Sequence, residues 1–257
     1  IAPHDDYSYV GYLYPALMKH VQSDVVVMLG VAHRAREMGL EDRIIFGTHH
    51  AWKSPAGQVK VSRHLKALLD ELPPEVYTVN DSMQNMEHSL EALVPFLEHY
   101  RPGTEIIPVL VPAMTFDRME KIANVLAPAL QKVTGEAGLE WGKGFSLLVS
   151  TDAVHYGNED WGGKLYDRFG TDEAGYQDAV AFERQIIEEC IAGELRPSRI
   201  QSFTHYTVQA ADHREYKWTW CGRYSVPFGM LTAFRLSELA GTSLEGKLIG
   251  YSTSIAR

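Results

Sequence analysis

The sequence is poor in cysteine, with only Cys190 and Cys221 among 257 residues. Two thiols do not make a disulfide framework in a chain of this length, so we expect a reducing, cytoplasmic setting. No apolar run approaches the roughly 20 residues of a membrane-spanning helix. The N-terminal residues also lack the pattern of a signal peptide. We therefore expect no membrane partner.

Basic residues are the minority, with 24 Lys and Arg against 33 Asp and Glu and a net charge of −9. Nucleic-acid binding needs clustered Lys and Arg, so these values argue against a nucleic-acid partner. Internal repeats, low-complexity segments and Gly/Ser-rich linkers are also lacking. We therefore predict one domain over residues 1–257.

Apolar runs alternate with helical patterns along the chain, which favours an α/β layered domain. The predicted strands are Val25–Gly30, Arg43–Gly47, Glu105–Val111, Phe145–Ser150 and Leu248–Ser254. The predicted helices are Ser62–Leu72, Glu87–Tyr100, Asp117–Val133, Glu173–Ala192 and Pro227–Ala240. Pro95 should kink or split the second of these helices.

Polar residues follow the ends of two predicted strands. His33 follows the first strand, and Asp152 and His155 follow the run that ends at Ser150. His4 lies just after an apolar start, and Cys221 precedes the last helix. Strand ends that direct such residues to one sheet edge are how α/β enzymes build sites.

Imidazole, carboxylate and thiolate are the ligands of zinc and of non-haem iron. Each residue alone has a structural alternative. His4 and His33 could be loop or capping residues, and Asp152 could cap a turn. Cys221 could be a small buried hydrophobe. His88 could begin a helix, although that position would also direct it to the same sheet edge.

Six motifs in order resemble the Memo family, whose microbial members are often labelled AmmeMemoRadiSam system protein B. They are A-P-H at His4, L-G-x-x-H at His33, E-H-S-L-E-x-x-x-P-F-L at His88, I-I-P-V-L-V at Ile106, S-x-D-x-x-H-x-G at Asp152 and C-G-R at Cys221. The family is similar in fold to class III extradiol dioxygenases. The resemblance implies a three-layer αβα sandwich with a central mixed sheet.

The resemblance also implies roles for individual residues. In the dioxygenases two His and one carboxylate hold Fe(II), and in Memo-like proteins Cys takes the carboxylate position. His4, His33 and Cys221 would then be the metal ligands. His155 would be the acid/base, with Asp152 beside it, and His88 a further catalytic candidate.

The sequence departs from the family pattern near the first ligand. P-H-D-D-Y replaces the usual P-H-A-G-Y, which adds Asp5 and Asp6. Family members usually have a further segment ahead of A-P-H, and we expect that this segment is absent from the present numbering. L-G-V-A-H also replaces the commoner L-G-P-S-H. The two acids would add negative charge near a cation and could hydrogen-bond a ligand His.

Three functions are compatible with these residues. The first is a non-haem Fe(II) oxygenase that acts with O₂ on a small aromatic or phenolic substrate; Zn and Cu are alternative metals. The second is a protein with a vestigial site that binds a peptide or metabolite without turnover, and the third is a Zn-dependent hydrolase. The candidate pocket residues are Asp5, Asp6, Tyr7, Trp218, Trp220 and Tyr224. We also expect a homo-oligomer.

Overall fold

The computed structural model describes residues 1–158 and 166–254. The strands are β1 (Val25–Val31), β2 (Ile44–Phe46), β3 (Ala51–Ser54), β4 (Gly57–Lys60), β5 (Tyr77–Val79), β6 (Glu105–Val111), β7 (Phe145–Val149), β8 (Gly193–Glu194) and β9 (Glu245–Gly246). The α-helices are α1 (Tyr7–Val10), α2 (Tyr14–Met18), α3 (His64–Glu71), α4 (Asp81–Met86), α5 (Val94–Tyr100), α6 (Phe116–Glu136), α7 (Glu173–Ile186), α8 (Pro197–Thr207) and α9 (Ser225–Leu239).

The central sheet has five strands in the order β5-β2-β6-β1-β7. β1 pairs in parallel with β6 on one side and with β7 on the other. β2 is parallel to β5, but its one bridge to β6 is antiparallel, between Ile45 and Leu110. The sheet is therefore mixed, as predicted.

Helices cover both faces of this sheet. Every residue of β1 is buried, as expected for a central parallel strand with both faces covered. Val27 and Leu29 pack with the hydrophobic cluster that includes α6 and α9. Val26 and Met28 pack with the opposite cluster, which includes α2 and α5. Alternate residues of β1 therefore contribute to two hydrophobic cores, one on each face of the sheet. The similarity in fold to extradiol dioxygenases stays a prediction.

The predicted helix over Glu87–Tyr100 begins later than expected. A 3₁₀ turn at Glu91–Leu93 leads into α5, with Pro95 in the first turn of the helix. Proline is tolerated there because the first helical N–H groups have no partner within the helix. The prediction that Pro95 splits the segment is confirmed. His88 consequently lies in the connection before the 3₁₀ turn and not on a helix.

The predicted strand Leu248–Ser254 is wrong. The nearest strand is the two-residue β9, which pairs with β8. The segment instead crosses the N-terminal helices, where Ser252 Oγ donates to Tyr9 O and Tyr12 donates to Tyr251 O. Leu248 and Ile249 are exposed, so the apolar run does not bury a strand face. The sequence analysis also missed the β3–β4 hairpin and α8.

The longest strands of the described residues, β1 and β6, lie in the central mixed sheet. No helix in residues 1–158 or 166–254 has the length and apolar character needed to cross a membrane.

Helix α9 can approach the sheet closely because Gly229 has no side chain. A Cβ at Gly229 would lie 2.4 Å from Val149 Cγ2 and 3.2 Å from Leu29 Cδ1. We predict that Gly229→Ala lowers the free energy of unfolding by about 1–3 kcal/mol, because the helix or strand must shift. Urea unfolding measures this change.

Gly135→Ala is the matched control on α6, since its added Cβ would meet no atom within 4 Å. It should be neutral or stabilising by up to about 1 kcal/mol. Equal unfolding free energies for the two variants would contradict the packing argument.

Candidate metal centre

Two neighbouring parallel strands end at the same edge of the sheet. β1 leads to His33 and β7 leads to Asp152, and the register aligns Leu29 with Val149. His4 reaches this edge because Ala2 forms a parallel bridge with Ser150. Ala2 N donates to Val149 O at 2.8 Å, and Thr151 N donates to Ala2 O at 2.9 Å.

Cys221 arrives from the segment before α9. Val154 and Trp220 form an antiparallel bridge, which aligns the residues after β7 with the residues before the helix. Asp152 N donates to Cys221 Sγ at 3.0 Å. The Cys221 Sγ also lies 3.5 Å from His4 Nε2. The sulfur is therefore at the same sheet edge as His4 and Asp152.

Two groups of possible metal ligands share His4. One is His4, Asp152 and Cys221, and the other is His4, His33 and His88, with the ligand atoms of each group within 4.8 Å of one another. Burial decreases outward, from a side chain 1% exposed at His4 to 23% at His33 and 63% at His88. The five residues of these two groups, called the cluster below, are thus accessible to solvent from the side of His88.

The rings of His33 and His88 are stacked, with centroids 4.7 Å apart and planes at 15°. A metal ion lies near the plane of an imidazole that binds it. Two nearly parallel stacked rings direct their lone pairs along different planes, so this arrangement does not suit one ion on both. His4 is perpendicular to His33, at 89°, which suits a shared ion better.

Hydrogen bonds orient both inner imidazoles. His4 Nδ1 lies 2.9 Å from Ser150 Oγ, and His33 Nδ1 lies 2.8 Å from Glu87 Oε1. Such partners of the second ring nitrogen are typical of metal-binding histidines. His4 Nε2 then faces Asp152 Oδ2 at 3.3 Å.

Burial dominates the protonation of the inner groups. It lowers the pKa of His4 to about 3, helped by His33 and His88, so His4 is neutral at physiological pH. Burial raises the pKa of Asp152 to about 6. Burial also raises the pKa of the Cys221 thiol, and the nearby Asp152 carboxylate adds to this effect. A bound cation would stabilise the ionised forms of Asp152 and Cys221 and so lower the pKa of both groups.

Glu87 behaves differently from Asp152. Burial alone would raise its pKa, but the His33 ring and backbone N–H donors lower it to about 2. These donors include His33 N, His88 N and Ser89 N. Glu87 is therefore a buried carboxylate fully supplied with donors.

His155 lies beside this cluster on the bridged segment. Its N–H donates to Thr219 O, and Thr219 Oγ1 donates to His155 O. Burial lowers the pKa of the His155 ring, opposed by the charge of Asp5 and assisted by His33. A neutral imidazole near the cluster can accept a proton.

The candidate pocket residues next to His4 have their own partners. Asp5 Oδ1 accepts from Asp6 N, and Asp6 caps α1 by accepting from Ser8 N. Tyr7 is about half exposed, and its hydroxyl donates to Ala92 O. These contacts place the two acids and the tyrosine on the exposed side of the site.

The aromatic candidates before α9 are buried and hydrogen-bonded to other parts of the fold. Trp218 and Trp220 are each 4% exposed, and both indole N–H groups donate to Glu183 Oε1 on α7. Tyr224 is buried, with its hydroxyl donating to His213 O. The two tryptophans therefore belong to the core that supports the Cys221 segment.

The sequence analysis did not predict that Glu87, Ser150 and Glu183 hold the candidate ligands or their segments in place. Glu87 and Ser150 belong to recognised motifs, E-H-S-L-E and S-x-D-x-x-H-x-G, so their positions beside ligand candidates gave a usable signal. Glu183 lies in an ordinary helical pattern, and nothing local distinguishes it. Its Oε2 also accepts from Val154 N, which ties α7 to the segment after β7.

The glycines of two motifs allow close approach of backbone segments. A Cβ at Gly30 would lie 2.6 Å from Leu90 Cγ, so glycine lets the segment that contains Glu87 pack on the end of β1. A Cβ at Gly222 would lie 2.0 Å from Thr151 Oγ1. Glycine in C-G-R therefore holds Cys221 against the residues after β7.

The structure also contains an apolar groove of about 530 Å³. Ala2, Thr151 and Trp220 line it, together with residues of α2, α9 and the C-terminal segment. None of the candidate ligands lines this groove. Its lining includes Pro3, Thr151 and Trp220, which are the sequence neighbours of His4, Asp152 and Cys221.

The ligand atoms of His4, Asp152 and Cys221 are of the types that bind transition metals. A neutral imidazole nitrogen, a carboxylate oxygen and a sulfur converge, with the lone-pair atoms of His4 and Asp152 3.3 Å apart. Such an approach calls for a proton or a cation between the two atoms. The same donor types serve Fe(II), Zn²⁺ and Cu, so they do not select one metal.

Comparison with known proteins gives the family. The profile of the Memo-like protein family matches residues 1–256. A MEMO1 family protein of Pyrococcus furiosus is 27% identical over 99% of this chain and 79% of its own length. One of Thermococcus kodakarensis is 28% identical over the same shares. One of Pyrobaculum aerophilum is 28% identical over 62% of this chain, and the match spans only 54% of that protein. The chain belongs to the Memo family.

The close contact at Gly222 gives a test of the site's framework. We predict that Gly222→Ala lowers the free energy of unfolding by about 1–3 kcal/mol and weakens metal binding, because Thr151 must move away from Cys221. Urea unfolding and a Co²⁺ titration measure the two effects. Gly11→Ala is the control, since its Cβ would meet only Tyr7 Cβ at 3.6 Å. A Gly222→Ala protein as stable as this control would contradict the argument.

Proposed function

We propose that this protein is a metal-dependent oxidoreductase, a non-haem Fe(II) oxygenase of a small phenolic or aromatic substrate. The observation that carries the proposal is the convergence of His4, Asp152 and Cys221 on one point at the sheet edge, with His33 beside it. Membership of the Memo family supports the same centre. When bound, Fe(II) would supply positions for substrate and O₂.

The proposed ligands are His4, His33 and Cys221. The two imidazoles lie with ring centroids 5.5 Å apart at 89°, and the sulfur lies 3.5 Å from His4 Nε2. Asp152 is the neighbouring carboxylate, within the same group of ligand atoms. It can complete the centre as a further ligand or accept a hydrogen bond from bound water.

Access to the centre supports a small-molecule substrate. The buried side of the cluster is formed by His4 and Cys221, and the open side by His33 and the exposed His88. A substrate entering past His88 would meet Asp5 on the exposed side. The negative charge of Asp5 favours a neutral phenol over a dianion.

His155 is the proposed acid/base. Burial lowers the pKa of its ring, His33 lowers it further and Asp5 opposes this effect, which supports the role of a neutral imidazole. A neutral imidazole can take a proton from a phenolic hydroxyl and return it later. His155 donates its backbone N–H to Thr219 O, which fixes the backbone from which the ring projects.

The thiolate favours a second candidate function. Two imidazoles and one thiolate with an open position are also a donor set for catalytic Zn²⁺, which activates water for hydrolysis. Metal analysis of protein purified without chelator or nickel resin separates the two candidates. O₂ uptake with a panel of catechols after anaerobic iron loading tests the oxygenase directly. No uptake with any catechol by the iron-loaded protein counts against it.

The ligands are tested by substitution. We predict that Cys221→Ser and His33→Ala each remove most bound metal, measured by elemental analysis, because each removes one of three primary donors. Circular dichroism should stay close to that of wild type, since both residues lie in connections and not in strand centres.

Cys190→Ser and His205→Ala are matched controls for these two variants. Cys190 is equally buried but lies in the π turn after α7, and His205 is exposed on α8. Both should retain metal. Wild-type metal content in folded Cys221→Ser or His33→Ala protein would show that the ligands are assigned wrongly.

The role of His155 has a different signature. We predict that His155→Ala keeps the metal and lowers turnover by ~10²–10⁴-fold, as expected for loss of an acid/base group. A rate measurement on metal-loaded protein checks this. A lower melting temperature with an unchanged rate per folded molecule would make His155 structural, and loss of the metal would make it a ligand.

A further inference from the structure

We infer that Glu87 and Ser150 are positioning residues that hold His33 and His4 with the proton on Nδ1 and a free lone pair on Nε2. The inference rests on the proposed function only for the use of those lone pairs, which is to bind the metal. The hydrogen bonds themselves determine the tautomers. Neutral histidine in water favours the opposite tautomer, so the protein must impose this one.

The case for His4 follows from the single hydrogen of a hydroxyl group. Ser150 Oγ donates that hydrogen to Ser89 O at 2.5 Å. Ser150 Oγ can then only accept at its second contact, which is with His4 Nδ1 at 2.9 Å. His4 Nδ1 must carry the proton, and His4 Nε2 presents its lone pair toward Asp152 and Cys221.

The case for His33 follows from the donors around Glu87. Oε1 accepts from His88 N and Ser89 N at 2.9 Å each, and Oε2 accepts from His33 N at 2.8 Å. Both oxygens act as acceptors, as in an ionised carboxylate. The third contact of Oε1, with His33 Nδ1 at 2.8 Å, requires that Nδ1 is the donor.

One short segment, residues 87–89, orients both rings. Glu87 holds His33, while Ser89 O receives the hydroxyl that holds His4. Ser89 Oγ donates to Val31 O, which fastens the segment to the end of β1. Both imidazoles are therefore fixed by buried groups before any ion binds, which lowers the cost of forming the centre.

The tautomers can be observed in metal-free protein. Long-range ¹H–¹⁵N correlation spectra of protein with ¹⁵N-labelled histidine distinguish Nδ1–H from Nε2–H rings. We expect Nδ1–H for His4 and His33 in wild type. Ser150→Ala should move the His4 ring toward Nε2–H and leave His33 unchanged.

Ser225→Ala is the matched control, because Ser225 is equally buried and donates to Ser150 O but has no hydrogen bond to a histidine ring. It should leave both rings as in wild type. An Nε2–H signal from either ring in wild type, or an unchanged His4 ring in Ser150→Ala, would overturn the inference.

Glu87→Gln tests the second residue. The amide keeps one acceptor oxygen, but its NH₂ group must face an N–H that the carboxylate accepted. We expect a weaker hydrogen bond from His33 Nδ1, seen as an upfield shift of that proton, and about 10–100-fold weaker Co²⁺ binding. Glu183→Gln is the control, a buried carboxylate with three N–H donors and no histidine partner. It should leave the His33 proton unshifted.

The Co²⁺ titration separates this inference from the proposed function. Wild-type protein with the expected tautomers but no Co²⁺ binding would overturn the metal centre and leave the hydrogen-bond assignment supported. Tight Co²⁺ binding with unchanged affinity in both Ser150→Ala and Glu87→Gln would overturn the positioning role and leave the centre intact.

Discussion

The parallel pairing of β1 with β7 is the constraint on which the site depends. Parallel strands end at the same sheet edge, so His33 and Asp152 emerge side by side although they are far apart in sequence. Ala2 continues this pairing beside Ser150 and brings His4 to the same edge. Without this alignment, the motif residues would remain separate loop residues.

Buried polar groups impose the second condition on this fold. Glu87 and Glu183 are both almost completely buried, and a buried carboxylate is costly unless it is hydrogen-bonded. Glu87 gathers N–H groups around His33, and Glu183 gathers two indoles and Val154 N behind Cys221. The two carboxylates thus support different candidate ligands, Glu87 through the ring of His33 and Glu183 through the segment that leads to Cys221.

Some of the structure could be predicted from local signals because local physics decides it. The apolar runs of β1, β6 and β7 predict three strands of the central sheet, and all three are present. The Leu248–Ser254 prediction failed because Leu248 and Ile249 are exposed and the segment hydrogen-bonds to α1 and to Tyr12, which follows it, instead of to a strand. Periodicity does not report which surface an extended segment meets.

Family membership, the alternating α/β order and the identity of the motif residues could be predicted from the sequence alone. Those features depend on neighbours along the chain or on motifs read in order. The tertiary structure decided that Asp152 lies among the ligand atoms, that Trp218 and Trp220 turn to Glu183, and that His88 stacks on His33. These outcomes depend on which buried donor meets which acceptor across the fold, and distance along the chain carries no information about that pairing.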